Sequence, residues 1–230
     1  MRILAIDTSG PVCGVAVTDG GRVLAEQTVL NSRTHSANLM PMTDRVLKDA
    51  GLSINEIERI ACVTGPGSFT GVRIGVATVK GLSFGSGIPC VPVDALEALA
   101  VSAGAFDGVV CPIQDARCGQ VYGAAFRDGE RLTEDRALKL SEFIDLIAPL
   151  GEHFLFTGDG MPVHAAAIRE LLGEKAAFAP AHLAYLRPSA AAVIAAGKTE
   201  TVTDLELEAF YLRAPNAQLN KKLLEAMKNG

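Results

Sequence analysis

One segment of the chain, residues 60–100, constrains the fold more than any other. It begins with an apolar strand-like run, continues into a glycine-rich loop and a helical pattern of small residues, and ends in a second strand and the start of another helix. Two strands joined by a helix are typical of a parallel crossover, because parallel strands need a long connection. The segment therefore predicts an α/β fold in which helices cover a partly parallel sheet.

The length and composition are those of a globular chain. The 230 residues suffice for one large domain or for two small lobes, each able to bury a core. Hydrophobic residues make up 49 % and the net charge is only −5, which excludes a disordered chain. No apolar run reaches the roughly 20 residues of a membrane span. Asp7 also interrupts the start, where a signal peptide would be apolar. We expect a cytoplasmic protein that contacts no membrane.

The cysteines favour a reducing compartment. Their number is odd, no C-x-x-C pair occurs, and most of them lie in apolar strand-like runs. This pattern predicts reduced core residues rather than disulfides or metal ligands. The five are Cys13, Cys62, Cys90, Cys111 and Cys118.

Two halves of the chain share a pattern. The first 30 residues predict a three-strand meander with a tight turn at 19–21, and a similar pattern returns at 110–132. Thr64-Gly65 and Thr157-Gly158 each follow an apolar strand. Duplication predicts two lobes, each with a mixed sheet of a five-stranded type flanked by helices. A chance similarity of such short patterns stays open.

The boundary between the lobes is predicted near 103–107, where Ser, Ala, Gly and Asp interrupt the apolar pattern. This places residues 1–105, together with about 200–216, in the N-terminal lobe. Residues 106–199 then form the C-terminal lobe, and 217–230 form a polar tail.

An amphipathic helix is predicted at 36–51, and Gly51 ends it. Its residues at helical spacing are Leu39, Thr43, Val46, Leu47 and Ala50. Pro41 fits the first turns if the helix begins near Asn38, whereas an earlier start implies a kink.

The loop at 64–71, T-G-P-G-S-F-T-G, allows two interpretations. Backbone amides at a helix start can receive a phosphate, and glycines let it approach the main chain. The loop lacks the Gly-Lys-Ser/Thr of a Walker loop, and its third glycine comes one position too late for G-x-G-x-x-G. A tight turn that packs a strand against a helix is at least as good an interpretation.

The helix predicted at 70–84 carries small residues at four-residue steps along two rows: Gly71, Gly75, Ala77, Gly81 and Gly85. Each glycine inside a helix costs about 1 kcal/mol relative to alanine, so a close approach of another backbone must compensate. The neighbour is either the helix's own sheet or another subunit, and the pattern alone does not separate the two.

A metal site is not predicted at the next helix. Residues 95 and 99 share one helical face, where two histidines would form a metal clamp. Ala95 and Leu99 stand there instead.

Taken together, five motifs resemble the bacterial TsaB (YeaZ) family over almost the whole chain. They are D-T-S at 7–9, R-T-H-S-A-N-L-M-P at 33–41, T-G-P-G-S-F-T-G-V-R at 64–73, D-A-R-x-G-x-V-Y at 115–122 and Y-L-R at 211–213.

The resemblance implies a two-lobed actin-like and Hsp70-like fold (ASKHA, ribonuclease-H-like). It implies a part in forming N6-threonylcarbamoyladenosine on tRNAs that read codons starting with A. Members resemble the transferase TsaD, in which a V-N-H-x-E-G-H segment supplies two metal-ligating histidines. Ala95 and Leu99 stand at the matching positions here, so the resemblance implies a non-catalytic subunit without a metal.

The resemblance also implies partners. A helical bundle built from the first two helices joins TsaB to TsaD, and TsaE binds to this pair to give a ternary complex. In isolation the protein forms a homodimer. Transfer RNA would be contacted only through the complex. The implied interface residues are His35, Leu39, Met42, Val46, Gly71, Ile74, Gly75, Thr78, Gly81 and Leu82.

No tightly bound cofactor is expected. The resemblance implies that Asp7, Gly65, Gly67 and Ser68 occupy the places where actin-like ATPases bind phosphate and metal, and we interpret them as a degenerate nucleotide site. Weak binding of ATP or ADP at the interface of the complex stays open.

Two alternatives remain. The chain could be a stand-alone enzyme, either metallopeptidase-like or an ATPase that uses Asp7, although its histidines match no H-E-x-x-H pattern. They are His35, His153, His164 and His182. It could also bind tRNA directly through Arg213, Lys221, Lys222 and Lys228, although an acidic chain lacks the basic surplus for this and the tail is better interpreted as solvated.

Overall fold

Two β-sheets with the same strand order organise the computed structural model, which describes residues 1–30 and 34–213. The first sheet has the order β3-β2-β1-β4-β5, with β1 to β3 antiparallel and β4 and β5 parallel to β1. Its strands are β1 (Arg2–Asp7), β2 (Cys13–Asp19), β3 (Arg22–Val29), β4 (Arg59–Gly65) and β5 (Cys90–Asp94). The predicted meander and parallel crossover both form.

The second sheet repeats this arrangement in the order β10-β7-β6-β11-β12, and β8 and β9 extend it beside β6. Its strands are β6 (Val109–Arg117), β7 (Gln120–Gly123), β8 (Phe126–Arg127), β9 (Glu130–Arg131), β10 (Arg136–Lys139), β11 (Phe154–Thr157) and β12 (Ala176–Phe178). The α/β fold of two mixed sheets is therefore confirmed.

Within the meander predicted at 110–132, one strand is interrupted at Ala124 and Ala125. The β6 residue opposite Ala124 is Pro112, which has no N–H to donate to the sheet. Ala124 N–H reaches Pro112 O only at 3.4 Å, and Ala125 N–H donates instead to Thr133 Oγ1 at 2.9 Å. One missing donor thus splits the strand into β7 and β8.

Helices and sheets alternate in layers. Helices α1 and α2 cover the outer face of the first sheet, α3 and α6 lie between the sheets, and α4 and α5 cover the outer face of the second. The helices are α1 (His35–Asp49), α2 (Phe69–Ser86), α3 (Ala95–Ala103), α4 (Leu140–Ile147), α5 (Gly160–Leu172) and α6 (Pro188–Gly197). The period of two directs Leu4 and Ile6 toward α1 and α2, and Ile3 and Ala5 toward α3 and α6.

Helix α6 departs from the predicted lobe division. Residues 106–199 were expected in the C-terminal lobe, yet α6 packs on β1 and β2 of the first sheet. Small residues on both sides allow this approach. A Cβ on Gly14 of β2 would lie 3.1 Å from Pro188 of α6, and Ala191 and Ala195 of α6 are fully buried. The chain therefore returns to the first sheet before residue 199.

Four cysteines are buried as predicted, but Cys118 is exposed at the turn between β6 and β7. None of the helices in residues 1–30 and 34–213 combines the length and hydropathy of a membrane-crossing segment.

Candidate functional site

A cleft of about 460 Å³ lies where the two sheets face each other. One wall is formed by the connection after β1 and by the loop before α2, and the other by the end of β6 and the start of α5. Residues 210–213 close one side. The cleft is thus built from equivalent positions of the two repeated units.

The glycine loop is a packing turn. Ser68 N–H donates to Ser9 O at 2.7 Å, and Ser68 Oγ accepts the Gly71 N–H at 3.2 Å and caps α2. Side chains cannot be added at Gly67 or Gly71, because a Cβ would overlap Ser9 O or Thr8 O respectively. The glycines serve the approach of this loop to residues 8 and 9, and the Ser68 amide already has an acceptor.

Asp7 lies beneath the cleft. Its carboxylate is buried and accepts the Ser9 N–H at 2.8 Å and the Ser9 hydroxyl at 2.7 Å. Burial raises the pKa of Asp7 to about 6, although the hydrogen bonds from Ser9 and the charge of His35 lower it in part. Of the four residues predicted as a degenerate nucleotide site, Gly67 and Ser68 line the cleft, whereas Asp7 and Gly65 do not.

The opposite wall carries acidic and amide groups that were not among the predicted site residues. Gln114 of β6 is 4 % exposed, and its Oε1 has no hydrogen-bond partner among the described residues. Asp115 follows it and accepts the Arg117 N–H at 2.9 Å. His164 Nε2 lies 4.0 Å from Asp115 Oδ1 and also has no hydrogen bond within the part of the chain that the structure describes.

Asp159 completes this wall at the start of α5. Burial raises the pKa of Asp159 to about 6 and the charge of Asp115 adds to the rise, while the N–H groups of Asp159 and Asp115 and the charge of Arg117 oppose it. Gly160 lets α5 approach β6, since a Cβ there would lie 3.0 Å from Ile113 O. The repeated Thr-Gly pattern was the sequence signal that pointed to this position.

Residues 210–213 connect both lobes across the cleft. Phe210 N–H donates to Thr64 O at 2.8 Å on the first sheet. Arg213 Nη1 donates to Ala116 O at 3.2 Å and to Gln120 Oε1 at 2.6 Å on the second. Arg213, predicted as a candidate tRNA contact, is therefore engaged within the chain, and the other three candidates, Lys221, Lys222 and Lys228, lie outside the described residues.

An aromatic stack anchors this segment to α2. The Arg73 guanidinium lies 3.7 Å from the centre of the Phe69 ring, and its Nε donates to Tyr211 Oη at 3.0 Å. The Phe69 and Tyr211 rings are 4.9 Å apart. Cation–π and ring contacts of this kind hold the segment against the start of the helix.

Half of the predicted interface residues lie inside the protein. Leu39, Met42 and Val46 are at most 4 % exposed and pack on the first sheet, because the apolar stripe of α1 faces its own core. Gly71 and Gly75 are buried against Thr8. None of these five is accessible to a partner.

The other predicted interface residues are partly or fully accessible. His35 is partly buried, and its Nε2 donates to Gly10 O at 2.9 Å. Ile74, Thr78 and Leu82 are partly buried. Gly81 is exposed, and no described atom outside the adjacent helix backbone lies within 4 Å of where its Cβ would be.

Phe84, an exposed apolar residue of α2, was not among the predicted interface residues. Phe84 is 82 % exposed and lies one helical turn beyond Lys80, whose ammonium group donates to Leu205 O at 3.3 Å. Leu205 is also 82 % exposed. The position of Phe84 outside the buried row of Val72, Val76 and Val79 is the signal that could have identified it. We call Gly81, Phe84, Gly85 and Leu205 the α2 surface.

Positions 95 and 99, where two histidines would form a metal clamp, carry core side chains. Ala95 and Leu99 of α3 are 0 % and 2 % exposed and pack between the sheets. Across residues 1–30 and 34–213, no group of three or more His, Cys, Asp and Glu side chains is placed to hold a metal ion.

Comparisons with known sequences match a family model and relatives whose names refer to tRNA threonylcarbamoyladenosine. A family model described as TsaD, tRNA N6-adenosine threonylcarbamoyltransferase, matches residues 23–228. A relative from Bacillus subtilis named tRNA threonylcarbamoyladenosine biosynthesis protein TsaB is 34 % identical over 99 % of the chain and 100 % of its own length. The protein of that name from Escherichia coli is 40 % identical over 56 % of this chain and 57 % of its own.

Solved structures extend the similarity. A Pseudomonas aeruginosa protein described as similar to peptidase YeaZ has a TM-score of 0.77 and 29 % identity, covering 92 % of this chain and 99 % of that one. YeaZ from the same organism has a TM-score of 0.72 and 27 % identity, with the same two coverages. EutJ from Carboxydothermus hydrogenoformans, at a TM-score of 0.52 and 14 % identity over 84 % of this chain and 90 % of its own, shares the fold alone, which is the actin-like one.

Proposed function

The chain belongs to the TsaB (YeaZ) family of tRNA threonylcarbamoyladenosine biosynthesis proteins, and on that premise we propose that it is the non-catalytic partner of TsaD. It binds TsaD and stabilises or activates it. The modification of tRNAs that read codons starting with A then requires this chain although the chain performs no chemical step.

The residues at the former catalytic positions support a non-catalytic role. A metal ligand pair at 95 and 99 would need two imidazoles, and the apolar Ala95 and Leu99 offer no lone pair. Asp7, which an ATPase mechanism would use, is enclosed and bonded to Ser9. TsaD would therefore supply the metal and the reacting groups.

The α2 surface is the observation that carries the proposed association. Thr8 accounts for the glycines at positions 71 and 75. For Gly81 and Gly85, no described atom outside the adjacent helix backbone lies within 4 Å of where a Cβ would be. Each costs about 1 kcal/mol of helix stability. A helix of a partner could approach closely there and cover the exposed Phe84, and this approach would compensate the cost. A stable heterodimer normally buries roughly 800 Å² per partner, so adjoining parts of α1 would also contribute.

The same surface accounts for the other assemblies that we propose. In isolation it pairs with a second copy of the chain to give a homodimer. With TsaD the chain forms a heterodimer in the cytoplasm. TsaE binds to this heterodimer, and ATP or ADP binds weakly at its interface. Transfer RNA meets the complex rather than this chain alone, because the chain has a net charge of −5.

Reconstitution tests the role directly. This chain, TsaD and TsaE are purified, and threonylcarbamoyladenosine formation on tRNA is measured with and without this chain. We expect the product only when it is present, and equal activity without it would refute the proposal. Metal analysis and ATP hydrolysis by the chain alone test the enzymatic alternative, which stoichiometric zinc or turnover would support.

Gly81→Leu tests the surface. We expect this variant to lose co-elution with TsaD while keeping its fold, whereas Ala166→Leu, an exposed change on α5, retains both. Gly75→Leu is unsuitable, because a side chain there would collide with Thr8 and disturb the fold. Normal association of Gly81→Leu would exclude the α2 surface as the contact.

A further inference from the structure

Three charged side chains connect the two lobes next to the start of α3. Arg131 of β9 donates through Nη2 to Asp94 Oδ1 at 2.8 Å and through Nη1 to Asp135 Oδ1. Asp94 ends β5 of the first sheet, whereas Arg131 lies in β9 and Asp135 just before β10 of the second. We call Asp94, Arg131 and Asp135 the interlobe latch.

The latch holds two carboxyl groups against one guanidinium. The side chains of Asp94 and Asp135 are only 19 % and 9 % exposed, so water screens the repulsion between their charges weakly. Asp94 Oδ1 also accepts the Glu97 N–H at 2.7 Å, which fixes it at the start of α3. Glu134 and Arg136, the charged neighbours of Asp135 in the sequence, pair with each other. Full ionisation therefore leaves one uncompensated negative charge in the latch.

A single proton removes this excess charge. Burial raises the pKa of Asp135 to about 7, and the hydrogen bond and the charge of Asp94 add to the rise, while the charge and the hydrogen bond of Arg131 oppose it. Protonated Asp135 donates a charge-assisted hydrogen bond to Asp94, whereas the ionised group repels it. The contact between the lobes should thus be tighter below pH 7 than above it.

The segment 130–135, which carries two members of the latch, is not fully packed on α3. An apolar cavity of about 270 Å³ is lined both by Phe126 of the β8–β9 hairpin and by Ala100 of α3. Within its own lobe the segment is held by the Leu132 N–H, which donates to Ala125 O at 2.7 Å. The cavity leaves room for the segment to move relative to α3.

We propose that the interlobe latch is a proton-dependent switch. It attaches residues 130–135 to the first lobe when Asp94 and Asp135 share one proton, and it releases them when that proton is lost. The latch lies within one chain, so its test does not require TsaD.

Linkage gives the size and the sign of the effect. In the released form Asp135 is solvated, so the latched form is the one with the raised pKa and the one that binds more protons. Latching is fully present below the ordinary value of 3.8 and is lost as the pH rises through about 7. The equilibrium constant for release then rises about tenfold per pH unit up to pH 7 and levels off above it.

Carbon-13 NMR of the Asp135 carboxyl group in the full chain measures the proton directly. We expect a titration midpoint near pH 7 in the wild type. Asp94→Asn keeps an acceptor for the Glu97 N–H but removes the neighbouring charge, so the midpoint should fall by about one pH unit or more. A wild-type midpoint below about pH 5, or the same midpoint in Asp94→Asn, would overturn the inference.

Hydrogen exchange at the Leu132 amide measures the release. After correction for the intrinsic exchange rate, we expect protection to be about tenfold lower at pH 8 than at pH 6. The Val109 amide, which donates to His153 O within the second lobe, reports more global opening and should change less.

Two matched variants assign the effect to the latch. Asp135→Asn places a neutral donor at the same position and should remove the pH difference at Leu132. Asp128→Asn, an exposed change on the same hairpin, should retain it. Equal protection of the wild type at both pH values, or a tenfold loss that persists in Asp135→Asn, would contradict the proposal. Circular dichroism controls the fold, and if Asp135→Asn does not fold, the titration of Asp94→Asn decides.

Discussion

Gly75 of α2 packs against Thr8 so closely that a Cβ at position 75 would lie 2.5 Å from Thr8 Oγ1. The same hydroxyl donates to Gly71 O at 2.8 Å. The first half of α2 is therefore tied to the end of β1 within one lobe. The second half, with Gly81 and Gly85, faces open space, so the glycines of one helix serve two different purposes.

This difference predicts opposite effects of the same substitution. Gly75→Ala should lower the free energy of unfolding by about 1–3 kcal/mol, because the added methyl group overpacks the contact with Thr8. Gly81→Ala should raise it by about 0.5–1 kcal/mol, since it improves helix propensity without a collision. Urea denaturation of both variants gives the comparison. Equal effects of the two substitutions on the free energy of unfolding would contradict the inference that only Gly75 has a close neighbour in the fold.

Arg73 is predicted to hold residues 210–213 over the cleft. Arg73→Met keeps the length of the side chain but loses the cation–π contact with Phe69 and the hydrogen bond to Tyr211, together worth about 1–2 kcal/mol. Hydrogen exchange at the Phe210 amide, which donates to Thr64 O, should then accelerate. Arg169→Met provides the control, because Arg169 stacks on Phe178 in the second lobe. Identical exchange at Phe210 in all three proteins would argue against the anchor.

The stability of the protein should fall as the pH rises from about 4 to 6, in part through Asp7. Its pKa is raised to about 6 in the fold, so in this window the unfolded chain binds fewer protons than the native one. A shift from 3.8 to about 6 corresponds to at most ~3 kcal/mol of lost stability. Asp7→Asn should remove this part of the pH dependence in denaturation curves at pH 4.5 and pH 7.5. Curves that keep the wild-type pH slope would exclude Asp7 as its source.

Glu26 should stabilise the attachment of β3 to α6, and its effect has the opposite pH dependence. Burial would raise the pKa of Glu26, but the hydrogen bonds from Arg187 and Ser189 outweigh it and leave this pKa lowered. The stabilisation is therefore present above the pKa of the unfolded chain and is lost as the pH falls through the lower native value.

Glu26→Gln is expected to lower the free energy of unfolding by about 1–3 kcal/mol at pH 7, and by less in acid. Glu134→Gln, at an exposed pair with Arg136, should change the free energy of unfolding by less than about 0.5 kcal/mol. Equal losses in the two variants, measured by chemical denaturation, would show that the buried position of Glu26 has no special effect.

Much of the fold was predictable because its signals are local. The alternation of apolar residues in Arg2–Asp7 and the turn at 19–21 predict strands and a hairpin without knowledge of the rest of the chain. The candidate site was less predictable. Asp115 stands in a recognisable motif, but nothing next to Gln114 in the sequence indicates that its side chain lacks a donor.

The sequence by itself indicated two repeated units, and it determined the absence of histidines at positions 95 and 99 and the small-residue pattern of α2, since these depend on residue type and spacing alone. Only the tertiary structure decided which glycine of α2 meets Thr8, that α6 returns to the first sheet, and that residues at the end of β6 and the start of α5 line the same cleft. The reason is physical: these outcomes depend on distances between segments far apart in the chain, which are set by how the layers pack and not by any local pattern.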